Sequence, residues 1–379
     1  MIRNYNTLVG QIEALSEEMM EDMAPIDWYR TLKQHEEETL QRIQHGIIPP
    51  FFCAPLGVQL ELTYKCNLNC IHCYNNSGKR EAPACGARND VELSDHEWIS
   101  LAKELASLNI FECIISGGEP LLRENLVFEI LDILSEHGVT FLFLTNGWLV
   151  DERVIERLLH YRFHYIQVSI DGADSETHDR VRQRDGSWKR AVRAATLIKE
   201  AGLPLCIAST LVSHSSHQLP DVIDLAANIG ANQIIVDKFM STGAAALNRN
   251  ELLLPDGWRK QYYDIMLRKR EQYKGRIQIL SSMDPVIQLR MDIASPTKVA
   301  LVRPNGDVKL DCITPFCFGN VRKELLKKIW ETGMCKGWQR SEIIEFVKTI
   351  TKDEDLAHND RFPVPHVQKN WDIDADLEI

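Results

Sequence analysis

The sequence is short of several things, and each shortage excludes a class. No apolar run approaches the roughly 20 residues that a membrane-spanning helix needs; stretches such as "FECIIS" and "FLFL" have the length of strands. No membrane partner is expected. There is no surplus of basic residues: 43 Lys and Arg stand against 54 Asp and Glu, a formal net charge of −11. That balance argues against nucleic acid, whose binders present a basic face, although "RVRQRDGSWKRAVR" at 180–193 is locally basic. The N-terminus lacks the basic segment and apolar core of a secretion signal, so a cytoplasmic location is expected. Cysteine is not dense, with ten in 379 residues. A disulfide framework is therefore not expected, and tight groups of thiols read as metal or redox sites. Internal repeats and low-complexity tracts are absent.

What is present is an alternation of apolar strands and amphipathic helices. Residues 1–50 read as an N-terminal helical arm that ends at Pro49 and Pro50. From about residue 58 the strand candidates are "VQLELTY", "FECIISG", "TFLFLTNG", "YIQVSIDG", "PLCIASTLV" and "NQIIVDKFM", with helices between them. The first of those helices carries a capping-box pattern, Ser94 with Glu97. Six such units predict βαβ connections and a parallel sheet. Residues 51–274 are assigned to this core. After 274 the pattern changes: "RIQILSS" and "KVALVRPNGDVKLDC" read as short strands, Asn305-Gly306 as a two-residue hairpin turn, and two helices follow. Residues 275–350 are assigned to a smaller α+β unit and 351–379 to an acidic tail.

Chemistry-bearing residues collect at the C-terminal ends of the strands. Cys66, Cys70 and Cys73 follow the first, "GGEP" the second, "TNG" the third and "SIDG" the fourth. In barrels and open α/β sheets that end holds the active site. The three cysteines lie in the polar stretch "TYKCNLNCIHCYNNSG" at 63–78, which disfavours chance grouping of core thiols. A disulfide would leave one thiol over. A structural zinc needs four protein ligands, and His72 sits awkwardly beside Cys73 for that role. A 4Fe-4S cluster held by three thiolates keeps one iron open to a substrate or cofactor.

The spacing CxxxCxxC followed by Tyr74, together with "SGGEP" at 116–120, "SIDG" at 169–172, "HDRVR" at 178–182 and "GSW" at 186–188, resembles the radical S-adenosylmethionine (SAM) superfamily. "NGDVKLDC" and "FGNVRKELLKKIW" resemble that superfamily's SPASM or twitch extension. The likeness covers roughly residues 58–335. It implies a partial (β/α)6 TIM-type barrel with a small C-terminal α+β extension. It also implies that Cys66, Cys70 and Cys73 hold a 4Fe-4S cluster whose open iron is chelated by SAM. By the same resemblance Gly117 and Gly118 let the backbone approach the methionine moiety, Glu119 accepts from its ammonium group, and Ser169 and Arg182 hold its carboxylate. Asn146 and Asp171 are candidates for the ribose or nearby backbone, and Tyr74 for the adenine. His178 is expected to order its loop. The chemistry implied is reductive cleavage of SAM to a 5′-deoxyadenosyl radical that abstracts hydrogen from a substrate.

The C-terminal unit departs from the family pattern. No cysteine stands in "MDIASPT" at 291–297, where the first auxiliary ligand belongs, and Cys312 follows Gly306 one residue later than usual. Cys312, Cys317 and Cys335 therefore read as ligands of a possible auxiliary cluster or, slightly preferred, as core thiols. Cys335, expected to be the more exposed, and Cys85 are candidate hydrogen-atom donors. The resemblance points to modification of a ribosomally made precursor peptide, with an electron donor such as flavodoxin or ferredoxin. Two alternatives stand beside it: the same chemistry on a small molecule such as a tetrapyrrole precursor, and a non-catalytic iron–sulfur or zinc scaffold.

Overall fold

A computed structural model of the chain describes residues 37–75, 77–78, 91–281, 285–350 and 355. Most of the expected N-terminal arm, nearly all of the acidic tail, and Cys85 lie outside them. Within the arm, residues 37–44 are helical.

The apolar runs form strands where the sequence places them. β1 is Gly57–Glu61, β2 Glu112–Ser116, β3 Thr140–Thr145, β4 Phe163–Ser169, β5 Leu205–Leu211 and β6 Gln233–Lys238. Each pairs in parallel with the next. Helices α1 (Asp95–Ser107), α2 (Glu124–Ser135), α3 (Glu152–Leu158), α4 (Ser175–Arg182), α5 (Ser187–Glu200) and α6 (Leu219–Ile229) lie in the connections. The fold is thus the α/β arrangement of an open, partial TIM-type barrel. At α1 the expected capping box forms: the Glu97 N–H donates to Ser94 Oγ at 3.3 Å and the Ser94 N–H donates to Glu97 Oε2 at 2.7 Å. Gly230 closes α6 in the left-handed region, at φ +84°.

Two strands expected after residue 274 extend this same sheet. β7 (Gln278–Ser281) pairs in parallel with β6, and β8 (Val299–Val302) pairs in parallel with β1. The antiparallel strands β9 (Asp307–Lys309) and β10 (Cys317–Asn320) then complete one ten-stranded sheet, in the order β10-β9-β8-β1-β2-β3-β4-β5-β6-β7. The hairpin between β8 and β9 corrects the two-residue turn read from Asn305-Gly306. The Arg303 N–H donates to Asp307 O at 2.8 Å and the Gly306 N–H to Arg303 O at 2.9 Å, which leaves Pro304, Asn305 and Gly306 as a three-residue loop. Pro304 pre-sets the first turn position, and Gly306 takes the positive φ (+91°) of the bulge that such loops need.

One face of the strands packs outward. Val58, Leu60, Ile115, Phe141, Phe143, Ile166, Val168 and Ile234 join Trp98, Leu101 and Leu131 of the helices in a single core of buried apolar residues. The other face is not uniformly apolar. Gln59 and Glu61 of β1 alternate with Val58 and Leu60, and Gln167 of β4 alternates with Ile166 and Val168. The inward face is therefore partly polar, a departure from strands buried apolar on both faces.

Candidate active site

The C-terminal ends of β1 to β6 converge on a cavity of about 330 Å³. Its wall includes Cys66, Cys70, Cys73 and Tyr74 after β1, Gly117 and Gly118 after β2, Asn146 after β3, Ser169 at the end of β4, and Arg182 at the end of α4. Nine residues singled out by sequence, eight at four strand ends and Arg182 at a helix end, thus face one space. Glu119, Asp171, Cys312, Cys317 and Cys335 do not line it.

The cysteine loop is fixed from two sides. The Asn69 N–H donates to Arg182 O at 3.3 Å and the Ile71 N–H to Val181 O at 3.0 Å, which docks the loop on the end of α4. From the other side, the Gly118 N–H donates to Thr63 O at 2.7 Å and the Glu119 N–H to Lys65 O at 2.9 Å. This contact needs the two glycines. A Cβ on Gly118 would sit 2.1 Å from Lys65 O, and one on Gly117 would sit 2.9 Å from Thr63 O at a φ of +142°. Gly118→Ala is accordingly expected to destabilise the protein by at least about 1–3 kcal/mol, the range for overpacked sites. Urea unfolding of the metal-free protein checks this, and an unchanged midpoint would contradict it.

Each of the three thiols has a hydrogen-bond donor. The Leu68 N–H donates to Cys66 Sγ at 3.4 Å, the Ser77 N–H to Cys73 Sγ at 3.4 Å, and Arg182 Nη1 to Cys70 Sγ at 3.7 Å. Asn146 Nδ2 adds a 3.7 Å contact to Cys66 Sγ and a 2.8 Å bond to Asn67 Oδ1. Burial pushes the Cys66 thiol up to about 12 and the Cys70 thiol up to about 11, in the latter case against the charge of Arg182. Thiolates in such a setting need a positive centre in place of the proton, which metal supplies. Donors to the sulfurs are also what sets the potential of an iron–sulfur cluster. Among the described residues, no three His, Cys, Asp or Glu side chains are grouped around the position of a single metal ion.

Arg182 is held in place by Asp171. Its Nε lies 2.6 Å from Asp171 Oδ2, and the Thr210 N–H donates to Asp171 Oδ1 at 2.9 Å. Burial alone would raise the Asp171 carboxyl, but Arg182, with His72 and His178, holds it below the usual carboxylate range. His178 accepts the Asp171 N–H at 3.1 Å, the loop-ordering role expected of it. His72 Nε2 stands 3.5 Å from Asp171 Oδ2. Burial lowers the His72 pKa to about 4, so the ring is neutral at pH 7. Asp171 lies behind the wall and meets the nearby backbone at Thr210, one of the two contacts expected of it, while it positions Arg182.

Glu119 does not line the cavity either. The side chain is fully buried. Its Oε1 accepts from Thr145 Oγ1 at 2.9 Å and from the Leu121 N–H at 3.2 Å, and its Oε2 accepts from the Asn146 N–H at 2.9 Å. Burial raises its pKa to about 7, against those three donors. In this geometry the carboxylate ties the end of β2 to the end of β3 and so sets the position of Asn146.

Tyr74 lines the cavity, and its hydroxyl donates to Glu61 Oε1 at 2.9 Å. Glu61 Oε2 is 2.6 Å from Arg303 Nη1, which also donates to Asn75 Oδ1 at 2.6 Å. Glu61 is 0% and Arg303 1% exposed. This buried brace from the β8–β9 hairpin to the cysteine loop was not foreseen. Its signal was a glutamate set between the leucines of the strand candidate "VQLELTY".

The C-terminal cysteines are dispersed in character. The Cys317 thiol donates to Gly319 O at 3.2 Å. Cys335, expected to be the more exposed, is 8% exposed and belongs to the apolar core, so it is not placed to donate hydrogen into the cavity. Cys312 is half-buried beside that core.

Residues 60–226 match the Radical SAM superfamily. A mycofactocin maturase, MftC, of Mycobacterium ulcerans is 32% identical over 275 residues, 71% of this chain and 70% of that protein. A PqqA peptide cyclase of Granulibacter bethesdensis is 32% identical over 199 residues, 52% of this chain and 51% of the relative, so the chain spans about half the length of that relative. Among solved structures, SuiB of Streptococcus suis bound to its precursor peptide SuiA superposes with a TM-score of 0.60 at 15% identity, over 84% of this chain and 73% of that one. At that identity the likeness is one of fold. Among the described residues, no helix is long and apolar enough to cross a membrane.

Proposed function

The chain belongs to the radical SAM superfamily, and from that premise we propose that it modifies a ribosomally made precursor peptide by radical chemistry in the reducing cytoplasm. The observation that carries the reading is the set of three thiols, each with a hydrogen-bond donor, on one cavity with Gly117, Gly118 and Arg182. Cys66, Cys70 and Cys73 would hold a 4Fe-4S cluster. When bound, the cluster and SAM together supply a one-electron cleavage that yields a carbon radical able to take hydrogen from a substrate.

The chain's own residues bind, orient and exclude. Arg182, fixed by Asp171, presents a guanidinium to the cavity beside Cys70, suited to a carboxylate. Ser169 adds a hydroxyl on the same wall, and Asn146 is aimed at the Cys66 side by Glu119. Tyr74 presents an aromatic ring there, anchored by Glu61. Gln167, Asp237, Met240 and Gln288 also line the cavity, and the substrate side chain would sit against them. The peptide assignment rests on the named activities of the relatives, a peptide cyclase and a maturase, and on SuiB having been solved with its precursor peptide.

A precursor peptide encoded beside the chain, deuterated at its side chains, is expected to pass label into 5′-deoxyadenosine, read by mass spectrometry. If no such peptide stimulates SAM cleavage and a tetrapyrrole precursor does, the peptide reading fails.

A further inference from the structure

The stretch 180–193 carries six basic residues and one acid, Asp185, in a chain whose formal net charge is −11. Its residues divide by orientation. Arg182 faces the cavity, and Arg193 pairs with Glu152 at 2.7 Å. Arg184, Lys189 and Arg190 are exposed. Among the described residues no carboxylate pairs with any of these three. Arg184 and Arg190 both stack on the half-buried indole of Trp148, with guanidinium carbons 4.0 and 5.5 Å from the ring centroid. Two guanidinium groups on one indole concentrate positive charge around an aromatic centre.

This patch adjoins the cysteine loop. Arg184 Nη1 donates to Asn67 O at 2.5 Å, and Asn67 adjoins Cys66. Trp148 follows Asn146, whose side chain reaches both Asn67 and Cys66. This basic charge is therefore next to the backbone that carries the first thiol. An acidic partner would be steered to such a face, and a cluster on those thiols would then stand just behind the contact.

We propose that Arg184, Lys189, Arg190 and Trp148 form the docking surface for an acidic redox protein that delivers the reducing electron. The inference rests on the radical SAM reading above and adds the place of contact. In each delivery the donor's reduced flavin or iron–sulfur centre loses one electron. That electron is consumed when the sulfonium carbon–sulfur bond of SAM is cleaved. Arg184 also supports the cysteine loop, so the test uses Lys189 and Arg190, which do not touch it.

Anaerobically reconstituted wild type and the double variant Lys189→Glu/Arg190→Glu would be compared with a flavodoxin as probe. Two readouts are needed: flavodoxin affinity by interferometry, and SAM cleavage driven by flavodoxin or by dithionite. Reversal of two charges is expected to weaken flavodoxin affinity, and cleavage driven by it, by about tenfold or more at low ionic strength. The difference should shrink as salt screens it over a Debye length of about 10 Å at 0.1 M. Dithionite-driven cleavage should be unchanged. Flavodoxin binding and cleavage unaffected by the reversal would overturn the docking surface. So would a variant that loses precursor-peptide binding and keeps flavodoxin, which would assign the patch to the peptide. Absence of dithionite-driven cleavage in the wild type would instead reject the underlying radical SAM reading.

Discussion

Alanine at Cys70 is expected to remove iron binding and SAM cleavage together. The thiol lines the cavity between Cys66 and Cys73 and is approached by Arg182 Nη1. With two thiols left, a cluster ligated at three irons loses a corner. The neighbouring guanidinium also loses the thiolate it would neutralise. Activity should fall to the uncatalysed level, a loss of at least about six orders of magnitude on the lower bound for enzymatic acceleration. His72→Ala is the control. Its ring lines the same cavity but stands 3.5 Å from Asp171 and is not assigned as a ligand, so iron and labile sulfide should stay at the wild-type amount. Iron and sulfide analysis after anaerobic reconstitution checks both variants. Full iron in the Cys70 variant, or its loss in the His72 variant, would mean that the ligand set is misassigned.

The second large effect concerns the brace beneath Tyr74. Arg303→Met would leave Glu61 fully buried and without its ion pair. Breaking a buried pair from one side costs about 3–5 kcal/mol, whereas replacing both partners is often near neutral. Arg303→Met should therefore show a loss of that size in urea unfolding, and Glu61→Gln/Arg303→Met should recover most of it. In the double variant the Tyr74 hydroxyl can still donate to the amide carbonyl that replaces the Glu61 carboxylate, but Asn75 loses its partner. The cysteine loop should then be looser in a protein of normal stability, and alkylation of Cys73 in the metal-free state should be faster. Equal losses in the single and double variants would show that the pair is not coupled.

The strands, the capping box and the rim of chemistry were legible because each rests on local rules: apolar runs, the Ser94–Glu97 spacing, and polar residues at strand ends. Cys66, Cys70, Cys73, Tyr74, Gly117, Gly118, Asn146 and Ser169 reach one cavity because parallel strands bring all their C-terminal ends to the same side, and Arg182 joins them from the end of α4. Contacts between distant segments were less legible. A motif places Glu119 at the right height but does not say which way its carboxylate turns; burial of the β2–β3 junction turns it to Thr145 and Asn146. Asp171 likewise sits behind Arg182. The Glu61–Arg303 pair joins residues 242 positions apart in sequence, which no periodicity encodes. Cys335, read as exposed from "GMCKG", is buried because its segment packs into the apolar core with Trp330 and Trp338. Strands after residue 274 read as a separate unit, yet they complete the central sheet from both edges, since β6 and β1 offer unpaired edges once six strands have formed.

The most direct test of the account is incubation of the anaerobically reconstituted wild-type protein with SAM and dithionite, with nucleoside products separated by chromatography. The account predicts 5′-deoxyadenosine and methionine in equal amounts, and neither from the Cys70→Ala variant. A wild-type protein that holds a full complement of iron and sulfide and leaves SAM intact would contradict it.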